Sequence, residues 1–171
     1  MSPKKPLNQP SSRKMIWAYL LHLSFNMWAD RDVPERQKHY SAKPYLRLDV
    51  DLWNDILTKM ASVGMNMVVI DLGDAVKYES HPEIAVRDAW TVSRLKDELS
   101  KIREIGLEPI PKLNFSACHD AWLGPYSRCV STDTYYEVCR DLISEVIDIF
   151  DKPRFFHLGM DEETAQHQRY Y

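Results

Sequence analysis

Apolar runs alternating with segments of helical spacing predict a parallel α/β protein. More narrowly, they predict a partial (β/α)8 TIM-type barrel, with about four parallel strands and three connecting helices. That alternation is the first observation. The second is that one of the runs, MNMVVIDLGD at 65–74, lacks polar alternation, as expected of a strand buried on both faces. The third is that acids and histidines recur just beyond the ends of the runs, at the edge where parallel strand–helix folds gather their polar chemistry.

The elements follow in order. MIWAYLLHLSFNMW, residues 15–28, has β-branched and aromatic content and reads as the first strand running into a loop. Polar residues and prolines follow from Asp30 to Pro44. DLWNDILTKMASVG, residues 51–64, has helical spacing: Leu52, Ile56, Leu57, Met60 and Val63 make one apolar face, and Gly64 suits the residue just past the helix end. The second strand is the run at 65–74. A loop with His81-Pro82 leads to SRLKDELSKIREIG, residues 93–106, where Leu95, Leu99, Ile102 and Ile105 mark the apolar face and Ser93 is the candidate cap. LEPIPKLNF, residues 107–115, is the third strand. Its prolines count against a central position, since each lacks a ladder donor, but the strand–helix alternation outweighs them. After a loop, DTYYEVCRDLISEVIDIF at 133–150 gives the third helix, with Tyr136, Cys139, Ile143, Val146, Ile147 and Phe150 toward its buried side. PRFFHLGMD at 153–161 is the fourth strand.

Four strands in 171 residues are half the inventory of a barrel whose usual length is about 250 residues. Residues 1–14, with Pro3, Pro6 and Pro10, read as a flexible N-terminal segment, and 15–171 as the N-terminal half of a barrel that is truncated. A free half-barrel would expose two parallel edges, so the C-terminal half or a second subunit is expected to cover them. A small open doubly wound sheet is the alternative.

A net charge of -3 from 22 basic and 25 acidic residues leaves no electrostatic footprint for nucleic acid. Cys118, Cys129 and Cys139 are odd in number and lack CxxC spacing, which argues against a disulfide framework and a structural zinc site. No apolar run reaches the length of a membrane span, and no signal peptide is visible at the start. An extracellular or periplasmic form would have lost its targeting segment, whereas a cytoplasmic one needs none. The chain carries five Trp, nine Tyr and five Phe, rings that suit sugar faces and cores alike.

In a parallel fold the loops after the strand ends share one rim, so Asp74, His119, Asp161 and Glu162 converge although far apart in sequence. Carboxylates crowded at a dry rim repel, and one of them can keep its proton and serve as a general acid. An imidazole between carboxylates can orient them and tune the acid. Plainer readings stand beside this. Asp161 suits a helix N-cap with Glu162 and Glu163 in the first turn. Asp74 could cap a loop, and His119 could pair with its neighbour Asp120. His157 reads better as a core or supporting residue than as a metal ligand. A metal held by His157, Asp161 and His119 is conceivable, but no ligand spacing specifies one. Trp122, Asn114 and Asn26 are further candidates for contact with a ligand, each with a local packing or loop-satisfying alternative; His22 and Asp30 lie at the same strand end as Asn26.

At these residues the chain resembles the catalytic barrel of glycoside hydrolase family 20, the β-N-acetylhexosaminidases, over roughly Met15 to Glu163. HLGMDE at 157–162 is similar to that family's His-x-Gly-x-Asp-Glu. NMVVIDLGDAVKYESHPEI at 66–84 and GLEPIPKLNFSACHDAW at 106–122 resemble two further family segments in order and spacing. The resemblance implies that Glu162 is the general acid/base and that Asp161 holds the substrate's acetamido N–H. It implies that His119 and Asp74 support Glu162. The nucleophile would be the substrate's own acetamido oxygen, the substrate-assisted exception to the two-carboxylate pattern. The partner implied is a carbohydrate or glycoconjugate, and neither cofactor nor metal is implied. The sequence departs from the pattern at Phe25, where the family has an arginine, and at Lys112 and Asn114, where it has Glu and Asp. Cys118 looks inserted before His119, and Gly73 and Ala75 stand where Thr and a second Asp are common. A catalytically silent carbohydrate-binding or scaffolding barrel and a metal-dependent barrel hydrolase are the alternative readings.

Overall fold

The computed structural model describes residues 15–28 and 41–160. Its elements are β1 (Ala18–His22), α1 (Val50–Ser62), β2 (Met67–Asp71), β3 (Val76–Lys77), β4 (Trp90–Thr91), α2 (Val92–Glu104), β5 (Glu108–Lys112) and α3 (Asp133–Ile149). β1, β2 and β5 form one sheet in that order, with both pairings parallel. β3 and β4 make a separate two-stranded parallel pair. Each main strand lies beside the one before it, so the winding never reverses. A doubly wound sheet needs such a reversal; the order found is that of part of a (β/α) barrel.

The fourth strand expected at 153–161 is, within the described residues, a single parallel bridge between His157 and Lys112. His157 N donates to Pro111 O at 3.0 Å and Leu113 N to His157 O at 3.1 Å, and Ser116 N then reaches Gly159 O at 3.1 Å. The prolines account for this brevity. Alternate residues of a parallel strand turn their peptide groups to opposite neighbours. Glu108 N donates to Asn66 O and Lys112 O accepts from Leu72 N, so the even residues of β5 serve β2. Pro109 and Pro111 fall on the other side, where they offer no N–H, so the first donor toward the fourth segment is Leu113. β5 is therefore central despite its prolines, because they spare the β2 side.

Helix faces differ from the expected ones by about one residue. On α1 the buried residues are Trp53, Leu57 and Met60, while Leu52 and Val63 are 56% and 59% exposed. Burying the larger Trp53 rotates the face, and its indole N–H finds Glu98 Oε1 at 3.0 Å. α2 buries Leu95, Leu99 and Ile102 as expected, but its cap is Thr91, whose hydroxyl accepts from Arg94 N at 3.2 Å. Ser93 lies inside the first turn, and Ile105 is exposed. α3 buries Tyr135, Val138, Leu142, Val146 and Ile149. Tyr136 is exposed, and Cys139, Ile143 and Ile147 are half-buried. The apolar stripe of α3 is wide enough for either orientation; the Tyr135 hydroxyl, which donates to Phe115 O at 2.8 Å, accompanies the one adopted.

Candidate active site

The sheet's inner face ends in a polar row. His22 on β1 is in register with Asp71 on β2, and Asp71 with Lys112 on β5; same-register side chains of a parallel sheet point to one side. Lys112 Nζ donates to Asp71 Oδ2 at 2.6 Å with both side chains buried. His22 Nδ1 lies 3.2 Å from the same oxygen. Asp71 Oδ1 has no hydrogen-bond partner among the described residues, so Lys112 holds the carboxylate through Oδ2 alone, with His22 close beside it.

Beyond this row the chain forms a tighter knot. Asp74 does not end β2; it sits in the 3-10 turn Gly73–Ala75, past the strand's last residue. The Ser24 hydroxyl donates to Asp74 Oδ1. Asn26 Nδ2 donates to Asp74 Oδ2 at 2.7 Å and to Lys43 O at 2.9 Å, and Asn26 Oδ1 accepts from Lys43 N at 3.0 Å. Burial pushes the Asp74 carboxyl above its ordinary value, against the opposing pull of the Ser24 and Asn26 donors and of the Arg47 charge. Burial and the nearby Asp74 and Asp71 charges hold the Tyr78 phenol well above its usual range. Its hydroxyl donates to Gly73 O at 2.8 Å.

His119 reaches the same loop from the segment that follows β5. Its ring Nδ1 is 3.1 Å from Met27 O, and a carbonyl can only accept, so Nδ1 carries the proton. Asp120 takes Arg128, whose backbone N–H donates to Asp120 Oδ2 at 2.5 Å. Asp74 and His119 therefore both bond to the loop after β1, at Ser24, Asn26 and Met27, and Asn26 ties that loop to Lys43.

The remaining candidates are outside this knot, along the continuation of β5 and on the fourth segment. Trp122 is fully buried; its indole N–H donates to Asn114 O at 2.6 Å and its ring packs against Phe115. Asn114 is buried too. With its amide turned to satisfy both neighbours, it donates to Gly159 O at 2.8 Å and accepts from Lys112 Nζ at 3.3 Å. His157 is exposed, and its Nδ1 accepts from Gly159 N at 3.0 Å; it is not a core residue. Gly159 lies so close to β5 that a Cβ there would stand 2.7 Å from Asn114 Cα, and its φ is +58°. Asp161 and Glu162 lie outside the described residues. Among the described residues no group of three or more His, Cys, Asp or Glu could hold a metal ion, and no helix is long and apolar enough to cross a membrane.

Sequence reasoning missed Ser24 and the Asp71–Lys112 pair. The signal for the pair was present, since an acid inside VVID requires a buried partner and IPKL offers a cation at the matching position.

No protein-family model matches the sequence, and no curated protein matches it. Solved structures do. N-acetyl-beta-hexosaminidase of Streptomyces plicatus in complex with Thio-NAglucal superimposes with a TM-score of 0.61 at 14% identity. Two mutants of that enzyme in complex with product GlcNAc give 0.62 at 16% and 0.61 at 15%. Each match covers 82% of this chain but 31% of the other. At such identity the likeness shows the fold: this chain has part of the fold of the hexosaminidases and spans less than a third of their length.

Proposed function

We propose that this chain is the N-terminal half of a glycoside hydrolase barrel. When the rest of the barrel or a second subunit completes it, the protein hydrolyses terminal β-linked N-acetylhexosamine by substrate-assisted retention. Glu162 protonates the departing glycosidic oxygen while the acetamido oxygen of the substrate attacks the anomeric carbon and closes a ring. Water then opens that ring at the same carbon and Glu162 takes its proton, so configuration is retained. Asp161 orients the acetamido N–H and offsets the positive charge that develops. Asp74 and His119 hold the rim on which Glu162 works, with Trp122, Asn114, His157 and Asn26 shaping it.

The observation that carries the reading is the gathering of Asp74, Asn26 and His119 on one loop at the C-terminal edge of the sheet. The chain also passes Gly159 beside Ser116, whose carbonyl accepts from His119 N at 3.0 Å. Polar groups from three strand ends meeting at the C-terminal rim are the arrangement barrel enzymes use.

The test is hydrolysis of chromogenic N-acetylglucosaminide and N-acetylgalactosaminide by the full-length protein. Glu162→Gln should lower kcat by about 10²–10⁴-fold, the usual worth of a positioned acid/base, with KM little changed. Full activity in Glu162→Gln, or dependence of activity on a chelatable metal, would overturn the assignment. One observation favours a second reading: Lys112 and Asn114 are tied up in internal bonds on the inner face. A protein that binds sugar and hydrolyses nothing would support the silent carbohydrate-binding alternative.

A further inference from the structure

The turn that carries Asp74 is fastened by donors at three successive carbonyls. Ala75 N donates to Leu72 O at 3.0 Å, the Tyr78 hydroxyl to Gly73 O at 2.8 Å, and Val86 N to Asp74 O at 3.0 Å. Two of these donors are backbone amides. The middle one is the side chain of Tyr78, a residue just past β3 that is 1% exposed. Gly73 has φ +48°, and a Cβ there would stand 3.2 Å from Ser24 Cβ and 3.3 Å from Met27 Cε. Glycine thus leaves room for the loop after β1, whose Ser24 reaches Asp74. It is also the residue that least restricts the peptide group following it. The chain beyond Tyr78 is anchored independently, since Glu145 on α3 accepts from Glu79 N at 2.7 Å through Oε1 and from Ser80 N at 3.0 Å through Oε2.

We propose that Tyr78 is the positioning residue for Asp74, its hydroxyl fixing the Gly73–Asp74 peptide group so that the Asp74 N–H is aimed at the carboxylate of its own side chain. The Gly73 carbonyl and the Asp74 N–H belong to one planar unit, so a bond at the oxygen sets the direction of the hydrogen. It also polarises the unit and strengthens the donor at its other end. The Asp74 backbone is among the donors that hold the carboxyl down, after Ser24 and Asn26 and together with the Arg47 charge, against the upward push of burial. The charged groups facing Tyr78 are Asp74, Asp71 and Glu145, and with burial they keep its hydroxyl protonated. The donor therefore does not switch off where Asp74 titrates. The consequence for catalysis rests on the reading of Asp74 as part of the rim that supports Glu162; the tie between hydroxyl and carboxyl does not.

The experiment follows the Asp74 carboxyl of the full-length protein by carbon-13 NMR through a pH titration. Tyr78→Phe removes the hydroxyl and keeps the ring, and it should move the Asp74 midpoint upward as the carboxylate loses an aligned donor. Glu145→Ala, which frees the outer anchor, should lower the denaturation midpoint and leave the Asp74 titration in place. In the unsubstituted protein the Tyr78 Cζ resonance should step at the pH where Asp74 titrates, and Asp74→Asn should remove that step; this reading needs no variant at Tyr78. An Asp74 midpoint unmoved in folded Tyr78→Phe, an equal movement in Glu145→Ala, or a Tyr78 resonance indifferent to Asp74 would overturn the inference. Hydrolysis of the chromogenic substrates is measured alongside, and Tyr78→Phe should lower kcat by about 10–10²-fold with KM little changed. A moved carboxyl midpoint in a protein that hydrolyses nothing keeps the positioning role and removes the enzyme, whereas hydrolysis with an unmoved midpoint does the reverse.

Discussion

The two ends of the polar rim are built differently. On the β1–β2 side every polar atom of Asp74 and Asn26 is engaged, by Ser24, by each other and by the Lys43 backbone. On the β5 side the fourth segment is held by a bridge, a few backbone hydrogen bonds and the Asn114 amide, and it exposes Phe155, Leu158 and Met160. The first side is preorganised by closed polar bonding. The second depends on backbone proximity that prolines in β5 restrict. Asp161 and Glu162 lie outside the described residues. A barrel completed beyond the second side would add the packing that those exposed side chains lack.

The largest effect should come from the pair that joins the two sides. Replacing Lys112 by Met leaves the Asp71 carboxylate buried without its cation, and a broken buried pair costs about 3–5 kcal/mol. Equilibrium denaturation should show that loss, and the double variant Asp71→Leu/Lys112→Met should recover most of it, since two apolar groups leave no orphaned charge. A double variant as unstable as the single one would show that the row owes its stability to something other than the pair. Next comes Gly159→Ala. Its Cβ would meet Asn114 Cα at 2.7 Å and Leu113 O at 2.8 Å, at a positive φ, with a cost of about 2–3 kcal/mol. Because this segment is weakly held, the loss should surface locally. The Phe115 and Ser116 amides, which donate to Leu158 and Gly159, should exchange faster, while β1 and β2 amides stay protected.

The same contrast explains what the sequence disclosed. The helices and the inner strands were legible because hydrophobic periodicity is local: Leu95, Leu99 and Ile102 bury as their spacing says. The faces of α1 and α3 were misjudged because both carry more apolar residues than one stripe needs. There tertiary packing of Trp53 and Tyr135, which periodicity does not encode, settles the choice. Topology puts Asp74 and His119 at one edge, and both bond to the loop after β1; Asp161 and Glu162, expected beside them, lie outside the described residues. The contact of Ser24 with Asp74 was not legible, because a serine in the loop after β1 carries no local signal for the acid it meets.

A third measurement probes the preorganised side through pH. Burial raises the Asp74 carboxyl above its ordinary 3.8. Between that value and the raised folded one, the native state binds more protons than the unfolded chain, so stability falls as pH rises through the window. Asp74→Asn keeps acceptor and donor capacity in the same space and cannot titrate. The variant should lose that slope and match or exceed wild-type stability above the window. A wild-type profile in which stability instead climbs across it would mean that the Ser24 and Asn26 donors outweigh burial.

The smallest effect tests the approach to the weaker side. α1 and α2 both end in glycine, Gly64 at φ +86° and Gly106 at φ +88°, each closing the helix with backbone bonds such as Met65 N to Met60 O at 3.1 Å and Leu107 N to Ile102 O at 3.2 Å. α3 closes the same way, with Lys152 N reaching Ile147 O at 2.9 Å, but the left-handed positions are filled by Asp151 and Lys152 at φ 58° and 55°. A Cβ in that conformation is disfavoured, and glycine removes the penalty. Asp151→Gly should therefore stabilise the protein by about 0.5–1 kcal/mol, read as a higher denaturation midpoint at unchanged slope, whereas Gly106→Ala should destabilise it by a similar or larger amount. If Asp151→Gly lowers the midpoint, the side chain of Asp151 is holding the entry to the fourth segment, and this connection belongs with the preorganised half.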